Sequence, residues 1–593
     1  MDASARRTRV TWRSGLLVLF LWALPSLAAG EYRTVEIEGL RITIDSDWVT
    51  RAAPGYLPVR FDITNLGEPR VIEIAGDGLR FFRAPRGGGT GGTVVRQTVR
   101  LARGDRVRLT VPVPVFADNE NIVFQIRENG RTLERFNYTN LQSRALPKDA
   151  SAIIVAVPGS PFGIAAAGWQ RTLPGRTSTA GGRGGSSSGA LDIQLDPTRL
   201  PTNWLGYTSV RAVFVDPIAW EQLSDSQRSA LLTWTACGGD LILAADDERA
   251  FQMSLPGGAP RAGDGLLRRH FFGRIHLRSP ASLATTNLTH VLSELDKTQD
   301  ADWALPANGA PDWGTMASRG FRLPIPGIEG VPARAYLSIL IVFSLLIGPL
   351  NYWLLRRKRQ QVLLVLTTPL IAAIFIVLLA GYAVAVEGLS VYGRAVTFTM
   401  LDQASRQATT RSSVSLYAAG MSPRGGLRFP RDVAIYPIGP DGSGTRERLT
   451  LDLTEAQRFA AGVVQARAPA NFEQISHRTA RERLSFDRDE RGISVVNGLG
   501  ATILSLLFRD GDRMYSLARP LPAGGRDVLT AGLTSLVPAG LPLSSRFYSA
   551  IGQQPAGSYL AVLDRSPFWD PGAPEVLERG SFHFVLGFPE GAR

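Results

Sequence analysis

The chain has 593 residues, a formal net charge of +13 and a single cysteine, Cys237. One cysteine excludes an intramolecular disulfide and a cysteine-based metal cluster, so the domains must hold together by core packing. The length implies several domains, and the arginine excess fits solvated faces or attraction to anionic headgroups and acidic envelope polymers. Nucleic acid would be the natural partner of such a charge only in the cytosol.

The N-terminus argues against the cytosol. Arg6, Arg7, Arg9 and Arg13 form a basic start, Gly15–Leu24 is a short apolar run, and Ser26–Gly30 are small residues suited to cleavage. That order is a signal-peptide pattern over residues 1–30, with a mature start near Glu31. Arg6-Arg7 fits a twin-arginine signal poorly, and no cysteine follows to carry a lipid.

Residues 31–147 read as a β-sandwich of immunoglobulin-like pattern. Thr34–Ile44 alternates apolar and polar residues and predicts one strand, Leu57–Ile63 a second, Val107–Val115 a third and Ile122–Ile126 a fourth. Gly87–Gly92 matches G-x-G-x-x-G but precedes strand-like sequence. It therefore lacks the helix N-terminus that holds a pyrophosphate, and reads as a loop.

Residues 148–325 change to α/β character. Ala152–Val157 and Arg211–Asp216 are buried-strand runs, and Leu241–Ala244 is another. Between the last two, Ser224 and Gln227 form a capping box, Leu223, Ala230, Leu231 and Trp234 share a helical face, and Gly238 stops the helix. Strand, helix, strand predicts a right-handed crossover in a parallel sheet of flavodoxin-like type. Pro174–Gly189 reads as a loop inside this domain.

Residues 335–386 hold two apolar runs, Ala335–Leu355 and Val362–Val386, each long enough to cross a bilayer, which takes roughly 20 helical residues. The connector carries Arg356, Arg357, Lys358 and Arg359. Four cations in so short a connector predict a helical hairpin with its turn in the cytoplasm and both large flanks outside. Asn351 is placed to hydrogen-bond across the helices or to reach water, and Pro349 and Pro369 should kink them. Residues 390–593 return to β pattern at Val414–Tyr417, Ile493–Val496, Ala501–Phe508 and Tyr559–Leu563. They predict a second β-rich sandwich with a short helix over Leu453–Val464.

Two stretches carry a resemblance. "LPTNWLGYTSVRAVFVD" followed by "LSDSQRSALLTWTACGGDLIL" resembles the class I glutamine-amidotransferase-like fold of exported bacterial proteins. The hairpin "YLSILIVFSLLIGPLNYWLLRRKRQQVLLVLTTPLIAAIFIVLL" resembles a family of uncharacterised bacterial exported membrane proteins with this domain order. The resemblance implies no activity. As partners it implies envelope proteins linked to MoxR-type ATPase and von Willebrand A-domain systems.

Chemistry is sparse along the chain. An amidotransferase nucleophile needs a cysteine on a sharp strand-to-helix turn, whereas Cys237 ends the helix, so the domain reads as inactive. Gly185–Gly189 fits G-x-S-x-G without a preceding strand. The five histidines, His270, His276, His290, His477 and His583, show no metal-ligand spacing. Asp246-Asp247-Glu248 ends a strand where α/β sheets bind ligands, yet also reads as a solvated turn. No cofactor, metal or catalytic residue is expected. The expected function is a non-enzymatic inner-membrane protein that binds or scaffolds envelope proteins. The alternative is an envelope hydrolase with an unrecognised site in the α/β domain. A fragment of residues 31–330 is expected to fold without the hairpin.

Overall fold

The computed structural model describes residues 33–45, 55–80, 93–115, 120–138, 151–156, 190–210, 212–251, 266–279, 323–328, 333–388, 390–438, 449–490, 492–532 and 554–590. The signal-peptide segment, the Gly87–Gly92 and Pro174–Gly189 loops (Gly185–Gly189 included) and His290 lie outside the described residues.

The first region supplies eight strands: β1 (Arg33–Ile37), β2 (Leu40–Asp45), β3 (Gly55–Asn65), β4 (Arg70–Arg80), β5 (Thr93–Leu101), β6 (Arg106–Val115), β7 (Glu120–Glu128) and β8 (Arg131–Tyr138). One antiparallel sheet runs β1-β2-β3-β6, and β5-β4-β7-β8 belong to a second. Phe61 and Phe124 meet edge-on between them, with ring centroids 5.3 Å apart. The single strand expected over Thr34–Ile44 is instead a hairpin of β1 and β2. It turns at Glu38 and Gly39, whose φ angles are +47° and +77°. The apolar positions give the reason. Val35 and Ile37 share one parity, Leu40, Ile42 and Ile44 the other, and one strand cannot face both on one side.

The second region contributes β9 (Ser151–Ala156), β10 (Ala190–Leu195), β11 (Ala212–Val215), α1 (Pro217–Gln222), α2 (Asp225–Ala236), β12 (Asp240–Ala244), β13 (Leu266–His270) and β14 (Gly273–Arg278). Its sheet order is β10-β9-β11-β12-β14-β13. All neighbours are parallel except the β13–β14 hairpin. Ser224 and Gln227 form the capping box of α2, and Leu231 and Trp234 on its inner face are fully buried. The helix ends in a Schellman pair, Gly239 N–H to Trp234 C=O at 3.1 Å and Gly238 N–H to Thr235 C=O at 2.9 Å.

Next come the apolar helices: α3 (Ala333–Leu345), a π-turn at Leu346–Leu350 containing Pro349, α4 (Asn351–Arg357) and α5 (Leu364–Glu387). Leu337–Arg357 and Gln361–Gly381, 21 residues each, are long and apolar enough to cross a membrane. Their side chains, among them Leu340, Ile341, Val365, Leu366 and Val377, point outward rather than into a core. The missing proline N–H explains the π-turn, since Pro349 cannot bond the carbonyl one turn back.

The last region holds β15 (Val391–Asp402), β16 (Gln407–Ala418), β17 (Leu427–Phe429), β18 (Ala434–Ile438), β19 (Leu449–Asp452), β20 (Gln457–Ala461), β21 (Pro469–Thr479), β22 (Arg483–Asp489), β23 (Gly492–Gly498), β24 (Ile503–Asp510), β25 (Arg513–Ser516), β26 (Arg526–Val528), β27 (Thr530–Ala531), β28 (Tyr559–Leu563), β29 (Val576–Glu578) and β30 (Phe582–Phe588). A long sheet runs β18-β21-β16-β15-β30-β28-β24-β25-β27, with β29 beside β15, and β22-β23-β26 form a small one. The short helix expected over Leu453–Val464 is absent, and Gln457–Ala461 within it is strand. Gln457 and Phe459 face inward while Arg458 and Ala460 face out, a period of two rather than 3.6.

Strands from opposite sides of the hairpin share one sheet, ordered β17-β20-β19-β5-β4-β7-β8. Its joint is the parallel pair β19–β5, Leu449 opposite Thr93 through Asp452 opposite Arg96. Leu453 N–H continues the ladder to Arg96 C=O at 2.8 Å. One contiguous apolar core then runs from Leu40 and Phe124 through Trp234 to Phe459 and Trp569. This changes the expectation for a 31–330 fragment. Cut there, β5 becomes an open edge and the core loses its C-terminal wall. Such a fragment should aggregate or bind a hydrophobic dye. Co-expression with residues 323–593 should recover a soluble or membrane-held complex that co-purifies. A monomeric 31–330 fragment with cooperative melting would show that the shared sheet is dispensable.

Candidate functional site at the three-region junction

The regions meet around Tyr56, at the start of β3. Gly55 allows the approach: a Cβ there would lie 2.8 Å from the Ser209 nitrogen. Tyr56 N–H donates to Thr208 Oγ1 at 2.8 Å, tying the sandwich to the α/β region. Its hydroxyl has two acceptors in the C-terminal half, Ile435 C=O at 3.0 Å and Gln457 Oε1 at 2.9 Å, and accepts from Ile435 N–H at 3.0 Å. Gln457 is itself oriented by Nε2 donation to Val433 C=O at 2.5 Å. Complete burial pushes the Tyr56 phenol well above its ordinary pKa, so it stays a neutral donor.

Polar contacts continue around the seam. Trp204 Nε1 donates to Asp432 C=O at 2.7 Å, and Asn203 Nδ2 to Arg431 C=O at 3.3 Å. Arg199 Nη2 donates to both Asp45 carboxylate oxygens, at 2.9 and 2.8 Å. On the far side, the Phe271-Phe272 turn between β13 and β14 plugs into the long C-terminal sheet. Phe271 stands edge-on to His477 at 5.6 Å, Phe272 contacts Phe398 at 6.0 Å, and the Arg411 guanidinium lies 6.0 Å from the Phe272 ring. Arg411 and Glu473 form a buried pair at 3.8 Å. Burial raises the Glu473 carboxyl above its usual range, and Arg411 opposes the shift.

Beneath that turn, Asp240 accepts from Arg274 Nε at 2.7 Å and Nη2 at 3.0 Å, and His276 Nε2 lies 3.3 Å from the same carboxylate. All three are buried. Burial lowers the His276 pKa despite the Asp240 contact. Asp240 begins β12, at the end of the parallel sheet opposite the one where ligands usually bind. Gly273 is required here, because a Cβ would meet Thr235 O at 1.9 Å.

The sequence-selected residues fall as follows. Cys237 is the fully buried C-cap of α2, and burial pushes its thiol up, the reverse of what a nucleophile needs. Asp246 and Asp247 are exposed, and Asp247 Oδ1 accepts from Arg249 N–H at 3.1 Å. His270 lies at the end of β13, two residues before Phe272, and His276 joins Asp240 and Arg274 rather than His270. His583 is buried between Thr397, 3.0 Å from Nδ1, and Glu578, 3.1 Å from Nε2. Among the described residues, no three His, Cys, Asp or Glu are grouped to hold a metal ion. In the hairpin, Asn351 is buried and donates through Nδ2 to Thr367 Oγ1 at 3.0 Å, crossing from α4 to α5. Arg356, Arg357, Lys358 and Arg359 are exposed in the turn.

The arms of the hairpin are fastened to the C-terminal sheet. Arg394 donates Nη1 to Pro324 C=O, before the hairpin, and Nε to Gly580 C=O at 2.9 Å. Ile325, Tyr392 and Ala419 pack together beside it. Sequence reasoning missed Tyr56, Arg411, Glu473 and Arg394. For Arg411, Glu473 and Arg394 the signal was a charged residue inside a strand-like run; Tyr56 carried none. No protein-family model matches the chain, and no curated protein matches it.

Two tests follow from this geometry. Tyr56→Phe strands a buried Ile435 N–H and one acceptor of Gln457, which should lower stability by about 1–3 kcal/mol in chemical denaturation. Burial holds the His477 pKa near 4, below its ordinary 6.5. The unfolded chain therefore binds the extra proton first. Stability is unaffected above pH 6.5 and falls as pH drops from 6.5 to 4, by up to roughly 3 kcal/mol. Glu473, with a raised pKa, acts in the opposite sense, so the comparison must be of single variants. His477→Asn should flatten the loss between pH 6.5 and 4. An unchanged acid slope would remove His477 as its source.

Proposed function

We propose that this chain is a membrane-anchored envelope protein whose flanking regions form one extracytoplasmic body that binds or scaffolds other proteins. The observation that carries this is the β5–β19 joint. Strands before and after the two apolar helices share a sheet, so both flanks must lie on the same side of any membrane the hairpin crosses. The short turn with Arg356, Arg357, Lys358 and Arg359 then favours the cytoplasm for the turn and the outside for the body. We read the first sandwich as immunoglobulin-like, supported by its two antiparallel sheets. We read the second region as a relative of the class I amidotransferase fold, supported by its parallel order.

Binding is favoured over turnover by the fate of the titratable groups. Cys237, His276, Asp240, Arg411 and Glu473 are sealed within or between regions, where they hold the body together. The expected partners are envelope proteins, those of MoxR-type ATPase and von Willebrand A-domain systems included. The test has two parts. Reporter fusions at residues 300, 358 and 450 should read outside, cytoplasm and outside; a cytoplasmic signal at 450 would sink the topology. The detergent-solubilised protein should co-purify with envelope proteins, and Cys237→Ala should retain them. Loss of cellular function in Cys237→Ala at unchanged stability would return the hydrolase reading to first place.

A further inference from the structure

The basic turn of the hairpin combines three features that a plain topology signal does not require. Its charges are uncompensated. The sequence has no Asp or Glu between Glu329 and Glu387. Among the described residues, Arg356, Arg357, Lys358 and Arg359 have no carboxylate partner. Its cations are also held in a fixed turn. Gln360 N–H bonds Leu355 C=O at 3.0 Å and Arg359 N–H bonds Arg356 C=O at 3.1 Å, a Schellman closure of α4. The left-handed position in that closure ordinarily takes glycine, yet here it is Arg359, at φ +53°. A cation stands where glycine would be less strained. Finally, aromatic residues flank the charges at the level where a helix leaves hydrocarbon. Tyr352 and Trp353 are exposed, and the Arg357 guanidinium lies 5.6 Å from the Trp353 ring.

We propose that this turn is a binding site for the phosphate groups of anionic phospholipids in the facing leaflet. The inference rests on the membrane reading above. Clustered guanidinium groups offer paired N–H donors to phosphate oxygens. The exposed aromatic rings keep the cations at headgroup depth. A zwitterionic headgroup carries its own cation and gains less from such a site.

The experiment uses the full-length protein reconstituted in phosphatidylcholine vesicles, with spin-labelled phosphatidylglycerol or phosphatidylcholine as probe. The protein-associated fraction should favour phosphatidylglycerol by about tenfold at low salt, and the preference should shrink in high salt. Replacing all four cations (R356Q, R357Q, K358Q, R359Q) should abolish it. Because the same cations orient the hairpin, Arg359→Gly is a second variant: glycine suits the turn, so folding and orientation persist while the preference falls from about tenfold to about sixfold, the share of one cation in four. Glycerol phosphate in solution should not displace the lipid probe. Displacement would assign the site to soluble phosphates and overturn the lipid proposal. Equal association of both lipids, with the protein fully co-floating, overturns this proposal alone. Failure to co-float with any vesicle overturns it together with the membrane reading.

Discussion

The parallel pairing of β5 with β19 is the constraint from which the rest of the molecule follows. It joins residues 93–96 to residues 449–452, across the whole α/β region and the whole hairpin. A parallel pair cannot be closed by a tight turn and always needs a long crossover. Here the crossover contains another domain and two apolar helices. The N-terminal region therefore offers β5 one neighbour, β4, and the second arrives only with the last third of the chain. Loop-closure entropy grows only slowly with length, so the pairing is thermodynamically accessible; its cost falls on folding rate. Tyr56 reinforces it by joining one sheet to both other regions, its backbone N–H to Thr208 on one side and its buried hydroxyl to Gln457 on the other.

Buried polar groups at the seam do work that apolar contacts do not. An apolar interface tolerates sliding, whereas Tyr56 with Gln457 and Ile435, or Trp204 with Asp432, is satisfied in one arrangement only. Leaving such groups unpaired costs more than making the bonds gains, so the penalty for misdocking is steep. The Arg411–Glu473 pair belongs to the same logic. A buried ion pair adds little net stability, but breaking it strands a charge. The α/β region is thus locked to its neighbours rather than tethered to them.

Local structure was largely legible from the sequence. The Ser224–Gln227 capping box, the α2 face with Leu231 and Trp234, the parallel strands flanking it and the two long apolar runs all rest on short-range signals. Errors came where a period was short or a turn disguised. Thr34–Ile44 hid its turn at Glu38, a residue seldom found in the left-handed region, and only the parity change betrayed it. Leu453–Val464 was too short to tell period two from 3.6, and its strand β20 is held by β17 and by β19, which itself pairs with β5 from before the hairpin. The junction was invisible for the same reason. Tyr56 among β-strand residues carries no mark of a partner in another domain, and Arg411 reads as an outward-facing strand residue until Phe272 and Glu473 are placed against it.

The hairpin is asymmetric, and that asymmetry links the fold to the proposed role. At one end, Arg394 on the strand after α5 bonds Pro324 in the segment before α3 and Gly580 in the C-terminal sheet. At the other end the cationic turn meets no carboxylate partner among the described residues. Between them, Asn351 and Thr367 supply one polar lock between helices whose remaining surfaces are apolar and face outward. Such a hairpin contains no row of ionisable groups to relay a proton or an ion. The polar and charged features thus sit at the two ends of the hairpin, and the long apolar surface lies between them.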